Sequence, residues 1–203
     1  PESGEIWQFD GETWRAWATL NTPRWEHAVV VHGSQIWVLG GQNAEGALSS
    51  VEVCTAKGCE PGPTMTEPRS GLSAGLVGGA NMADQEGAEL RLVAFGGSAV
   101  PESPDALSSR TVELLLPIEG AWKLGERAGQ ARRGGLVHDP GDGTLVVVGG
   151  DNRGKLSTAV SRYSPLDKPP RTPTASEPDM EDELDPELRQ GPVQHPTGVP
   201  SAP

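Results

Sequence analysis

Three arginines, Arg24, Arg69 and Arg133, stand just ahead of apolar runs at matching places in the chain. A guanidinium is a planar, permanently charged fork that engages a carboxylate at two points, which makes the three candidate binding residues. The competing use is internal, with Glu52, Glu113 or backbone carbonyls taking the same donors. Histidine offers less. His27 and His32 sit at i and i+5 on one extended run and so point to opposite faces, where they cannot share a metal. His138 stands in a comparable run and His195 near the end of the chain. Cys54 and Cys59 flank Lys57-Gly58, turn chemistry between two extended segments. That placement suits a disulfide clipping a hairpin, with two reduced thiols near a turn as the alternative. Two cysteines without a neighbouring histidine make a poor zinc site, because zinc wants four ligands. A Ser-His-Asp constellation and a nucleophile elbow are both unsupported, and Gly141-Asp142-Gly143 reads as a turn. The expectation is no catalytic residue, no metal ligand and no cofactor.

The elements that carry these residues repeat. Glycine pairs close apolar runs at Gly40-Gly41, Gly96-Gly97 and Gly149-Gly150, preceded by Pro23-Arg24, Pro68-Arg69 and Arg132-Arg133. Arg24 stands as far from Gly41 as Arg133 does from Gly150, which aligns those two arginines; the middle copy carries a polar insertion at 81–87. Within each copy, runs rich in β-branched residues predict short strands at 28–31, 36–39, 90–95 and 145–148. The second strands are nearly continuous in apolar residues, as expected where both faces are covered. Third strands follow at 51–54, 112–115 and 159–163, and weaker outer ones at 13–17 and 121–124. Glycine at the pairs allows positive φ and close approach of another backbone or a Trp ring. An all-β chain with four antiparallel strands in each period of roughly 50 residues has the form of propeller blades.

The glycine pairs, with Trp14 and Trp122 ahead of Arg24 and Arg133, resemble the repeat of kelch β-propellers. The second copy departs from the pattern, having no Trp between Val53 and Arg69; the Cys54/Cys59 clip stands there instead. The resemblance covers about residues 5–164 and implies blades at 5–17 (partial), 24–66, 69–125 and 134–163. About three blades are too few to close a ring that takes about 4–8, so the rest of a parent propeller is an expected partner. Function in such a fold falls to the loops at one rim. The resemblance implies that arginines near Arg24, Arg69 and Arg133 grip acidic peptide motifs, with the loop Pro68–Leu72 the nearest match. It also leaves open an enzyme, a copper radical oxidase or sugar epimerase whose catalytic residues lie in missing blades.

Composition limits the partners. Net charge is -12, which disfavours nucleic acid and anionic membrane surfaces. No apolar run is long enough to span a bilayer. Residues 165–203 hold over half the prolines and an acidic cluster at 179–185, with little apolar surface to offset ordering; a disordered tail or linker is expected. A disulfide would belong to an oxidising compartment, and the makeup resembles secreted, periplasmic or envelope-anchored bacterial kelch proteins. The resulting expectation is a non-catalytic scaffold binding a protein, peptide or glycan.

Overall fold

The computed structural model describes residues 4–77, 91–100, 108–116, 120–152 and 154–164. The insertion at 81–87 and the expected tail at 165–203 lie outside them. Every regular element among the described residues is a strand. A two-stranded ribbon, β1 (Glu5–Phe9) with β2 (Trp14–Thr19), comes first. Next is a four-stranded antiparallel sheet in the order β3 (Ala28–His32), β4 (Gln35–Leu39), β7 (Val51–Thr55), β8 (Gly58–Pro61); the short hairpin β5 (Gln42–Asn43) and β6 (Gly46–Ala47) lies between β4 and β7 in the chain. The same order recurs in β9 (Ser73–Val77), β10 (Arg91–Phe95), β11 (Val112–Leu116) and β12 (Ala121–Leu124). A third sheet has β13 (Leu136–His138), β14 (Leu145–Val148) and β17 (Val160–Tyr163), with β15 (Asp151–Asn152) and β16 (Lys155–Leu156) as its short hairpin.

The sheets stand as blades about a shared axis. Their first strands are neighbours, β3 against β9 and β9 against β13. The continuous apolar character of the second strands follows directly. In β10, Leu92 and Ala94 pack toward the first sheet with Ala28, Val30, Leu39, Met65 and Trp122. Val93 and Phe95 point the other way, toward Leu145, Val147 and Tyr163 of the third. Period-two side chains thus fill two different interfaces, so neither face of the strand is left polar. Burying each of these Val, Leu and Phe side chains contributes roughly 1.5–3 kcal/mol. A smaller cluster of Leu20, Val38 and Cys54, with Ile6, Trp17 and Ile36, joins the β1–β2 ribbon to the first sheet.

Strand register corrects two expectations. Ala28 pairs with Leu39, Ser73 with Phe95 and Leu136 with Val148, each immediately before a glycine pair. Counting back from Ala28, Ser73 and Leu136 places Arg24, Arg69 and Arg132 in one position. Arg132, not Arg133, is therefore the counterpart of Arg24. Equal spacing misaligned them because the β13–β14 turn, which includes Asp139–Thr144, adds one residue to the third copy. Trp14 is 65% exposed and stacks on Phe9 at 5.1 Å, so it is not a blade packing residue. Trp17, beside the register shift of the ribbon, packs there instead. Trp122 is buried and donates its Nε1–H to Pro63 O at 2.8 Å.

Candidate functional site

Each sheet ends at the glycine pairs in the same way. The Arg24 guanidinium donates to the carbonyls of Gly40 (3.0 Å) and Ser50 (2.9 Å), and Arg69 to those of Gly96 (2.7 Å) and Thr111 (3.1 Å). Arg132 donates to Gly149 O (3.2 Å) and more weakly to Ala159 O (3.5 Å). These carbonyls belong to the first glycine of the pair and to the residue leading into the third strand, so the arginine closes the turn between them. Glu52 and Glu113, at matching register positions, accept from Arg24 and Arg69 at 2.8 Å. They also accept backbone N–H groups of Asn21, Thr22 and Thr66. Arg24 and Arg69 are thus buried and taken up by internal acids, the second of the two uses open to them from sequence. In the third sheet the acid's position is Ser161, whose Oγ accepts from Arg132 at 2.8 Å. Burial pulls the Arg132 guanidinium below its ordinary value with no acid opposing it; at Arg24 burial acts the same way and Glu52 opposes it.

The glycine pairs also link neighbouring sheets. Gly41 N–H donates to Arg69 O at 2.9 Å and Gly97 N–H to Arg132 O at 3.0 Å. Gly40, Gly41, Gly96, Gly97, Gly149 and Gly150 all have positive φ. A β-carbon on Gly40 would lie 2.6 Å from Arg69 O, and one on Gly96 would collide with Arg132 O, so glycine is required there by space as well as by backbone angle.

Inside these links runs a collar of three residues that bridge the sheets around the axis. Gly71 N–H donates to Glu26 O at 2.8 Å, and Gly134 N–H to Gly71 O at 2.7 Å. All three lie two residues after the buried arginine and have φ near +60°: Gly71 at 63°, Gly134 at 62° and Glu26 at 52°. Glu26 is the only non-glycine among the described residues with positive φ. An L-residue in that region costs roughly 1–2 kcal/mol.

Glu26 Oε2 gathers donors from three sheets: Arg133 Nη2 at 2.7 Å, Ser70 Oγ at 3.0 Å and Gln42 Nε2 at 3.2 Å. Arg133 is held by backbone pairing with Asp151, and its side chain lies across Gly71, whose added β-carbon would be 3.0 Å from Arg133 Nε. Its side chain is 18% exposed and that of Glu26 39%, so this ion pair meets solvent where Arg24–Glu52 and Arg69–Glu113 do not. Gln42 is buried, and its Oε1 has no hydrogen-bond partner. The group can do carboxylate recognition: a guanidinium, a hydroxyl and an amide aimed at one oxygen. Of the three predicted arginines, Arg133 alone reaches this open site. Ser70 falls in the loop Pro68–Leu72 and Gln42 opens the rim loop after the first glycine pair, both expected at the rim from sequence, whereas Glu26 and Arg132 were not selected as site residues. Aligning Arg-Trp-Glu, Arg-Ser-Gly and Arg-Arg-Gly on their first arginine exposes Glu26 as the residue standing in place of glycine.

Elsewhere the chemistry is structural. Cys54 and Cys59 form a disulfide across β7 and β8, with Cys59 at the register position that Trp122 holds in the second sheet. The bond thus covers the place where a blade Trp is missing. His27 is partly buried beside Gly41, and burial, then the charge of Arg24, lowers its pKa. Among the described residues no three His, Cys, Asp or Glu side chains gather to hold a metal ion, and no helix is long and apolar enough to cross a membrane. A cavity of about 690 Å³ opens at the opposite ends of the strands, beside Trp7, Trp17, Val31 and Lys57.

Comparison with known families matches residues 23–53 to the Kelch motif. No curated protein matches the chain. The matched stretch runs from the proline before Arg24 into β7, and the next two sheets repeat its arginine, glycine pair and strand register. On that motif and its repetition, the chain is similar to kelch-repeat proteins.

Proposed function

We propose that this chain is a non-catalytic recognition scaffold that binds a protein, peptide or glycan at the rim where the glycine pairs lie. One observation carries the reading. Three sheets converge there on a solvent-reached arginine, Arg133, whose counterparts in position, Trp25 and Ser70, are different residue types. Structural roles at this rim are met by repeated residues, the arginines at 24, 69 and 132 and the glycine pairs. Arg133, Glu26, Gln42 and Ser70 vary from sheet to sheet, as specificity residues on a common framework do. The Cys54–Cys59 disulfide supports an extracytoplasmic setting, secreted, periplasmic or envelope-anchored.

The test is a peptide and glycan array probed with the full chain, with Arg133→Ala and with Trp14→Ser, which alters the far end of the β1–β2 ribbon. Binders whose signal falls at least tenfold in Arg133→Ala and persists in Trp14→Ser support the rim. Binders insensitive to Arg133, or turnover of an arrayed compound, refute the reading.

A further inference from the structure

We infer that the cavity between the β1–β2 ribbon and the turns of the first sheet is a binding site for a small amphipathic anion, its apolar body against Trp7 and Trp17 and its acidic group at Lys57. The site lies at the opposite ends of the strands from the glycine pairs and is independent of the recognition reading above.

The cavity follows from how the ribbon sits. Its apolar side chains cover Val38, Ile36 and Cys54 on β4 and β7, while Val29 and Val31 on β3 stay exposed. About 690 Å³ of space is left beside Val31, within the roughly 300–1,000 Å³ usual for pockets that take small molecules. A bulge shapes the wall. Ile6 pairs with Ala18 and Trp7 with Ala16, so Trp17 is the extra residue. A bulge re-aims the side chains around it. Ile6 and Trp7, neighbours that a regular strand would send to opposite faces, therefore both line the cavity together with Trp17.

Charge names the polar end of the ligand. The chain carries a net charge of -12, yet Lys57 is the one charged side chain among the described residues lining this cavity. An acid there meets a cation and no opposing carboxylate. Thr55 adds a donor: its Oγ1 accepts from the Lys57 backbone N–H at 3.2 Å and keeps its own proton to give. The two indoles, Ile6 and Val31 suit an apolar body, but a wholly apolar ligand would cover Lys57 and Thr55 without pairing them.

Naphthalene-2-acetate and naphthalene-2-acetamide share one body and differ in charge. Each is titrated by NMR into the isotope-labelled full chain, with the indole N–H signals of Trp7 and Trp17 as the readout. The acid is expected to shift both signals and to bind about threefold tighter than the amide at low salt, the gap closing as salt is added. Lys57→Gln should make the two equal. Val31→Asp, which sets a carboxylate in the wall at an exposed position, should reverse their order. Arg133→Ala should leave both unchanged, which keeps a failure here distinct from a failure at the rim. Equal binding of acid and amide by the natural chain, a preference that survives Lys57→Gln, or indole signals that respond to neither compound overturns the proposal. Indole shifts that follow protein concentration alone overturn it as well, because a second copy of the chain then fills the cavity.

Discussion

Glu113 pairs with Arg69 where both side chains are 1% exposed or less. Changing it to Gln keeps the shape and removes the charge. Arg69 then retains the carbonyls of Gly96 and Thr111 and a contact at 3.0 Å with Glu67, whose side chain is half in water. Thr66 N–H, bonded to the same carboxylate at 2.6 Å, loses a charged acceptor as well. Stranding one member of a buried ion pair costs about 3–5 kcal/mol. At ~2–4 °C per kcal/mol for a protein of this size, Tm should fall by about 6–20 °C. Differential scanning calorimetry measures this, with Glu67→Gln as a control expected to cost less than ~1 kcal/mol because that acid is exposed. The converse change follows from the same geometry: Ser161→Glu places an acid opposite Arg132 at the register position of Glu52 and Glu113, and should stabilise by about 1–2 kcal/mol. A loss in Glu113→Gln no larger than that in Glu67→Gln would refute the claim that these carboxylates neutralise the interior arginines.

Gly96→Ala should cost ~2 kcal/mol more than Gly149→Ala in urea unfolding, because both share positive φ while the atom nearest an added β-carbon is the Arg132 carbonyl in one and Ser157 O at 3.7 Å in the other; equal losses would remove the inter-sheet role of the pair. His27 has its pKa lowered from 6.5 by burial and then by Arg24, so the unfolded chain binds the proton more readily. Its contribution is complete above pH 6.5 and is lost as pH falls below that value through the folded pKa. The melting temperature of His27→Gln should therefore decline less between pH 7 and 5 than that of the natural chain; parallel declines would contradict it.

Much of the architecture was legible in the chain. The β-branched residues of 28–31 and 145–148, with the glycine pairs that follow, mark strands even in runs this short. Each feature is dictated locally, by side-chain shape and by backbone angle. Cys54 and Cys59 were legible as a pair for the same reason, since a turn of two residues sets strands beside each other. Trp14 against Trp17 was not, because a register shift inside the ribbon changes which side chain faces the neighbouring sheet. Nor was Arg132 against Arg133, where one extra residue in a turn shifted the alignment of the third copy.

The order of residues by itself determined the blade: where strands start and stop, which turns demand glycine, and that second strands are covered on both faces. Only the tertiary structure decided which charges meet. Ser70 and Arg133 lie 44 and 107 positions from Glu26 in the chain, yet both donate to one of its carboxylate oxygens. Strand formation depends on neighbours along the chain, whereas that meeting depends on the rotation of one sheet to the next about the axis, which no local pattern encodes.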